Sequence, residues 1–90
     1  MFELSNTGFN MKFDNGYMIS VRWHESINYV NVRTMGGPYD SMANDSIDAE
    51  VAVFDKTGEM IKTPFNENDG VIGWQSPDEV FKIMKWARKQ

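Results

Sequence analysis

Cysteine is absent from this chain of 90 residues, and histidine occurs once, as His24. Without cysteine there is no disulfide framework and no thiol nucleophile, which suits a reducing compartment. A lone histidine can build neither the usual zinc site nor a Cys–His pair. His24 follows a strand-like run, where an ordinary surface role is the simplest reading. No apolar run reaches the length of a membrane span, and the first residues lack a basic-then-apolar leader pattern. The expectation is a soluble, intracellular protein with no membrane partner. There is no Gly-x-Ser-x-Gly elbow, no phosphate loop after Gly36-Gly37, and no dinucleotide fingerprint around Gly70 and Gly73. No catalytic function and no cofactor are expected. Repeats, low-complexity tracts and linkers are also missing, so residues 1–90 form one domain.

Positive charge is scarce in most of the chain. Residues 1–81 hold all thirteen acids and five of the nine bases, a balance of −8 within a net charge of −4. The other four bases are Lys82, Lys85, Arg88 and Lys89. An acidic body argues against direct nucleic-acid binding, which depends on neutralising phosphates. It permits a basic partner, and it also serves plain solubility. Trp23, Trp74 and Trp86 could stack on bases, but with so few bases nearby core packing is the better reading.

What is present is a clear alternation. Phe9 to Phe13 alternates apolar and polar residues, as a half-buried strand does. Asp14-Asn15-Gly16 signals a tight turn. Tyr17 to Trp23 alternates again, with Tyr17, Ile19, Val21 and Trp23 on one side. Phe2 and Leu4 start a short strand or remain loose. Residues 47–55 make another strand, with Ala49, Val51 and Val53 on one side and Ala52 and Phe54 on the other. Lys56-Thr57-Gly58 turns into a return strand over 59–63, which Pro64 stops. Residues 71–75 form a short last strand. Ser76 then caps a helix, Pro77 fits its first position, and Ser76 with Glu79 has capping-box spacing. Val80, Phe81, Ile83, Met84 and Ala87 fall on one broad face, with Trp86 at its edge. The sum is an α+β fold: a four- to five-stranded antiparallel β-sheet, two hairpins plus a short strand, packed by one C-terminal α-helix.

The middle is less regular. Residues 29–33 are a third strand or an extension of the second. Residues 34–46 show no sustained period, and a loop this long in a small domain points to function or mobility. Met35, Tyr39 and Met42 either fold back on the sheet or form an adaptable contact surface. With Asp40, Asp45, Asp48 and Glu50 they are the candidate partner-binding residues. Asp48 and Glu50 would point the same way on a strand and could hold a divalent cation, but no calcium-loop spacing surrounds them. Paired carboxylates also occur in glycosidases, where they need a cleft that this chain has little room to build.

Together, Phe13-x-Asn15-Gly16-Tyr17-x-Ile19-Ser20-Val21-x-Trp23, Ala49-Glu50-Val51-Ala52, Gly58 and Val71 through Val80 resemble a group of small uncharacterised proteins of tailed bacteriophages. That group shares the Asn-Gly hairpin, the Ala-Glu-(Ile/Val)-Ala strand and the Gly-(Trp/Tyr)-x-(Ser/Thr)-Pro-Asp-Glu-Val helix start. The resemblance covers most of residues 9–86, and residues 24–46 depart from it most. No functional residue carries over with it. It implies a small phage-encoded accessory protein in the host bacterial cytoplasm. Such a protein would act by binding a host or defence-system protein, as anti-CRISPR proteins or DNA mimics do. A small-molecule- or nucleotide-binding module that sequesters a signalling ligand, with a pocket between helix and sheet or beneath the 34–46 loop, is the alternative reading. A homo-oligomeric virion component is another, and a homodimer stays open.

Overall fold

A computed structural model of the chain describes residues 1–5, 7–23, 46–65 and 70–90. The expected strand at 29–33 and the loop at 34–46 lie largely outside the described residues, as do His24 and residues 66–69. The elements are β1 (Phe2–Ser5), β2 (Gly8–Lys12), β3 (Met18–Arg22), β4 (Ala49–Phe54), β5 (Met60–Ile61), β6 (Val71–Gln75) and α1 (Pro77–Arg88). All six strands join one antiparallel sheet in the order β1-β2-β3-β4-β5, with β6 also paired to β4. The α+β architecture read from the sequence is therefore the observed one, with β1 as a true strand.

The period of two sets the faces. Ile19 and Val21 on β3, Ala49, Val51 and Val53 on β4, and Ile72 on β6 are buried together under Ile83 and Ala87 of the helix. Phe9, Phe13, Tyr17, Trp23, Ile61, Val80, Met84 and Trp86 pack around them. The rings of Phe9 and Trp23 meet at 6.0 Å, tilted by 55°. The opposite face of β3 carries Met18, Ser20 and Arg22, since side chains alternate along a strand.

The β2–β3 and β4–β5 hairpins use the same three-residue loop. The Gly16 N–H bonds the Phe13 carbonyl and the Phe13 N–H bonds the Tyr17 carbonyl; Gly58 and Asp55 repeat this with Asp55 and Glu59. Such a loop ends on a residue in the left-handed region, and Gly16 and Gly58 sit there at φ of 89° and 88°.

The helix begins with both halves of the capping box formed. The Ser76 hydroxyl accepts from the Glu79 N–H, and the Glu79 carboxylate accepts from the Ser76 N–H. α1 leaves β6, crosses β4 and β3, and ends at the β2–β3 turn. There Asn15 Nδ2 donates to the carbonyls of Ala87 at 2.9 Å, Arg88 at 3.2 Å and Gln90 at 3.2 Å. The end of a helix leaves its last carbonyls without partners. Here a side chain from the β2–β3 hairpin supplies them.

Phe81 departs from the expected apolar face. It lies two positions before Ile83, roughly 200° around the helix, and is 58% exposed. The ammonium of Lys85, one turn on, sits 5.5 Å from its ring centre. No helix among the described residues is long and apolar enough to cross a membrane.

Candidate interaction surface

Of the seven residues expected to bind a partner, Met35, Tyr39, Asp40, Met42 and Asp45 lie outside the described residues. Asp48 and Glu50 are described, and both are half-buried. Ser46 Oγ donates to the Asp48 carbonyl at 2.9 Å, fixing the approach to β4. Glu50 has the opposite parity to the buried Ala49 and Val51, so it lies on the sheet face away from the helix. The register sets it directly opposite Arg22.

Arg22 is itself buried. Its guanidinium donates through Nη1 to the Val21 carbonyl at 3.1 Å and through Nη2 to Asn10 Oδ1 at 3.1 Å. Asn10 Nδ2 in turn donates to Glu3 Oε1 at 3.4 Å. A polar row thus runs Glu3, Asn10, Arg22, Glu50 across β1 to β4. Gly8 gives it room: a Cβ there would collide with the Val21 carbonyl oxygen and press on the Arg22 side chain at 3.0 Å. Along this row one base, Arg22, stands between the neutral amide of Asn10 and the acid Glu50. Burying a guanidinium is costly unless its donors are satisfied, so the row is first a device that holds Arg22 in place. Sequence reasoning passed over it. The available signals were a glycine inside a strand and an arginine on the polar side of an alternating run.

Other acids have local duties. The Asp55 carboxylate accepts from the Thr57 hydroxyl at 2.6 Å and from the N–H groups of Thr57 at 2.9 Å and Glu59 at 3.1 Å. The Thr57 hydroxyl, followed by these backbone donors, holds the Asp55 carboxyl below its usual range. Glu79 is likewise lowered, first by the Ser76 N–H and then by the Ser76 hydroxyl. Among the described residues, no group of three His, Cys, Asp or Glu side chains is arranged to hold a metal ion.

Several apolar side chains are exposed at the surface, and two features among them bear on binding. Trp74 is 57% exposed and has φ of 54°, the left-handed region that a bulky side chain seldom enters. It sits where the β4–β6 register shifts: Ala49 pairs Gln75, but Val51 pairs Ile72, leaving one extra residue on β6. Gln75 Nε2 donates to the Gly73 carbonyl at 3.0 Å across this bulge. A bulge of this kind re-aims a side chain, and here it turns Trp74 outward. Trp23 and Trp86 pack against the core, as expected; Trp74 does not. The second feature is β1, where Phe2 is 64% and Leu4 82% exposed. In the middle of the helix–sheet seam, Ile83 and Ala87 are fully buried, so side chains fill it.

Comparison with known proteins finds no family model, no curated protein and no solved structure that matches the chain.

Proposed function

We propose that the protein is a phage-encoded accessory protein. It acts in the host bacterial cytoplasm by binding, as an inhibitor of a host or defence-system protein, and catalyses nothing. The observation that carries this reading is the segregation of charge. Lys82, Lys85 and Arg88 on the helix and Lys89 at its C-cap all stand exposed, and residues 1–81 retain a balance of −8. A field of this sign speeds encounter with a basic partner and repels nucleic acid. Glu50 faces Arg22 in the polar row, so charge reversal is confined to Asp45 and Asp48. Tagged protein captured from host lysate at low and at high salt, with mass spectrometry of what is retained, tests the reading. One stoichiometric basic protein is expected at low salt, released at high salt and lost with Asp45→Lys plus Asp48→Lys. Capture that ignores both salt and these substitutions would sink the acidic-surface reading.

A further inference from the structure

The outer edge of β1 has a definite hydrogen-bonding pattern. Met1 and Lys12 exchange both backbone bonds: the Lys12 N–H to the Met1 carbonyl at 2.9 Å, and the Met1 amino group to the Lys12 carbonyl at 3.0 Å. Hydrogen-bonded and non-bonded pairs alternate along an antiparallel ladder. Glu3 with Asn10 is therefore the next bonded pair, while Phe2 with Met11 and Leu4 with Phe9 are non-bonded ones. The N–H and C=O groups of Phe2 and Leu4 consequently point away from β2, at the free edge of the sheet. β1 is terminal in the sheet order among the described residues. An uncovered edge with apolar side chains is a template for another strand.

The same two residues present their side chains. Phe2 and Leu4 pair with Met11 and Phe9, so they share the helix side of the sheet. The helix rests on β3, β4 and β6 and does not cover the β1–β2 wing. Glu3 points to the other face, at the start of the polar row. The edge thus reads as apolar, acidic, apolar, with main-chain groups available at the two apolar positions.

The geometry points to an extended peptide segment of a partner protein as the occupant of this edge. It would add to β1 as an antiparallel strand, with apolar side chains beside Phe2 and Leu4 and a basic side chain opposite Glu3. Main-chain bonds would give affinity and the alternating side chains specificity. A second copy of this chain fits worse. The two-fold register that uses all the outward groups sets Phe2 against Leu4 and Glu3 against Glu3, and like charges directly opposite are destabilising. The net charge of −4 adds to that repulsion. This inference rests on the binding reading above and names one place and one mode for it.

A displayed library of random linear peptides, selected against the intact protein, tests it. Leu4→Pro is the decisive variant. It removes an outward N–H while leaving the β1–β2 bonds intact, since proline is tolerated at an edge position facing solvent. Glu3→Lys is the second variant and disturbs no backbone bond. Circular dichroism and a thermal melt establish that both fold. The expected result is a set of selected peptides carrying a basic residue between two apolar ones. Their affinity should fall by about tenfold or more with Leu4→Pro, the loss of roughly 1.4 kcal/mol, and fall also with Glu3→Lys. Enrichment of no peptide, or binding indifferent to Leu4→Pro, overturns the inference. Self-association that Leu4→Pro dissolves overturns it too, by making the occupant a second copy. Lysate capture that Asp45→Lys plus Asp48→Lys abolishes but Leu4→Pro leaves intact would overturn the edge site alone and leave the acidic-surface reading standing.

Discussion

Asn15→Asp should destabilise the protein without disturbing the turn that contains it. Asp-Gly and Asn-Gly serve tight hairpins about equally, and an aspartate can still accept the Tyr17 N–H that Asn15 Oδ1 accepts at 2.9 Å. What is lost is the amide Nδ2 and its bonds to Ala87, Arg88 and Gln90. Two N–H donors are shared among these carbonyls, and each intramolecular bond contributes about 1 kcal/mol net. The bonds to Arg88 and Gln90 are exposed, so water replaces part of them. The new carboxylate also faces the negative end of the helix, at a cost of about 0.3–1 kcal/mol that salt screens. The total is about 2 kcal/mol, which in a domain of this size lowers Tm by roughly 10 °C. Urea and thermal melts of the wild type, Asn15→Asp and Asn15→Ala, at low and high salt, read it out. Asn15→Ala should lose the Tyr17 bond as well but show no salt dependence. An Asn15→Asp variant as stable as the wild type would refute the tertiary cap.

The other expectations follow the same physics. Ile83→Ala should cost about 2–5 kcal/mol in a urea melt, since a fully buried side chain leaves a cavity, whereas Phe81→Ala on the exposed side should stay within about 0.5 kcal/mol; equal losses would mean that the helix docks on another face. At position 74, glycine should be more stable than alanine by about 1 kcal/mol, because only glycine is at ease with the positive φ seen there. An ordinary strand site gives the reverse order, so alanine above glycine in chemical melts would remove the strain. The lowered carboxyls of Asp55 and Glu79 fix a sign for pH. The unfolded chain takes up protons first, so their contribution is complete above the ordinary carboxylate range of about pH 4. It is lost as pH falls through the lower native values. Glu79→Gln keeps an acceptor for the Ser76 N–H but cannot titrate, and its stability should fall less between neutral pH and acid. Matching acid limbs for variant and wild type would contradict the assignment.

Much of this fold was legible because its signals are local. Alternation in Tyr17–Trp23 and Ala49–Phe54 assigned the faces correctly, and the Ser76-Pro77-Asp78-Glu79 start gave the helix its cap. Other features are set at long range. The pairing of β6 with β4 follows from lengths that only the assembled sheet reveals: β5 pairs only Val53 and Phe54, which leaves the first part of β4 open for β6. The reach of Asn15 to the helix end joins residues more than seventy positions apart. Phe81 was misplaced because a broad apolar stripe does not say where the stripe ends. For the candidate site, the charge at Glu50 could be read, but its cross-strand partner Arg22 could not, since register is not written in composition. The edge groups of Phe2 and Leu4 were equally hidden, because which carbonyls face outward depends on how β1 pairs.

The Asn15 cap also gives the molecule a chemical memory. An Asn-Gly pair deamidates when the glycine nitrogen attacks the side-chain amide, expelling ammonia, and water then opens the ring to leave a carboxylate. In the folded protein the Gly16 N–H is bonded to the Phe13 carbonyl and the Asn15 amide is tied to the helix, so the two groups are kept from that attack. In the unfolded chain they are not. A molecule that lingers unfolded therefore converts its own helix cap into an anion, returns to a weaker fold, and unfolds more readily the next time. Age is recorded at a single turn, and native structure is what protects the residue on which it depends.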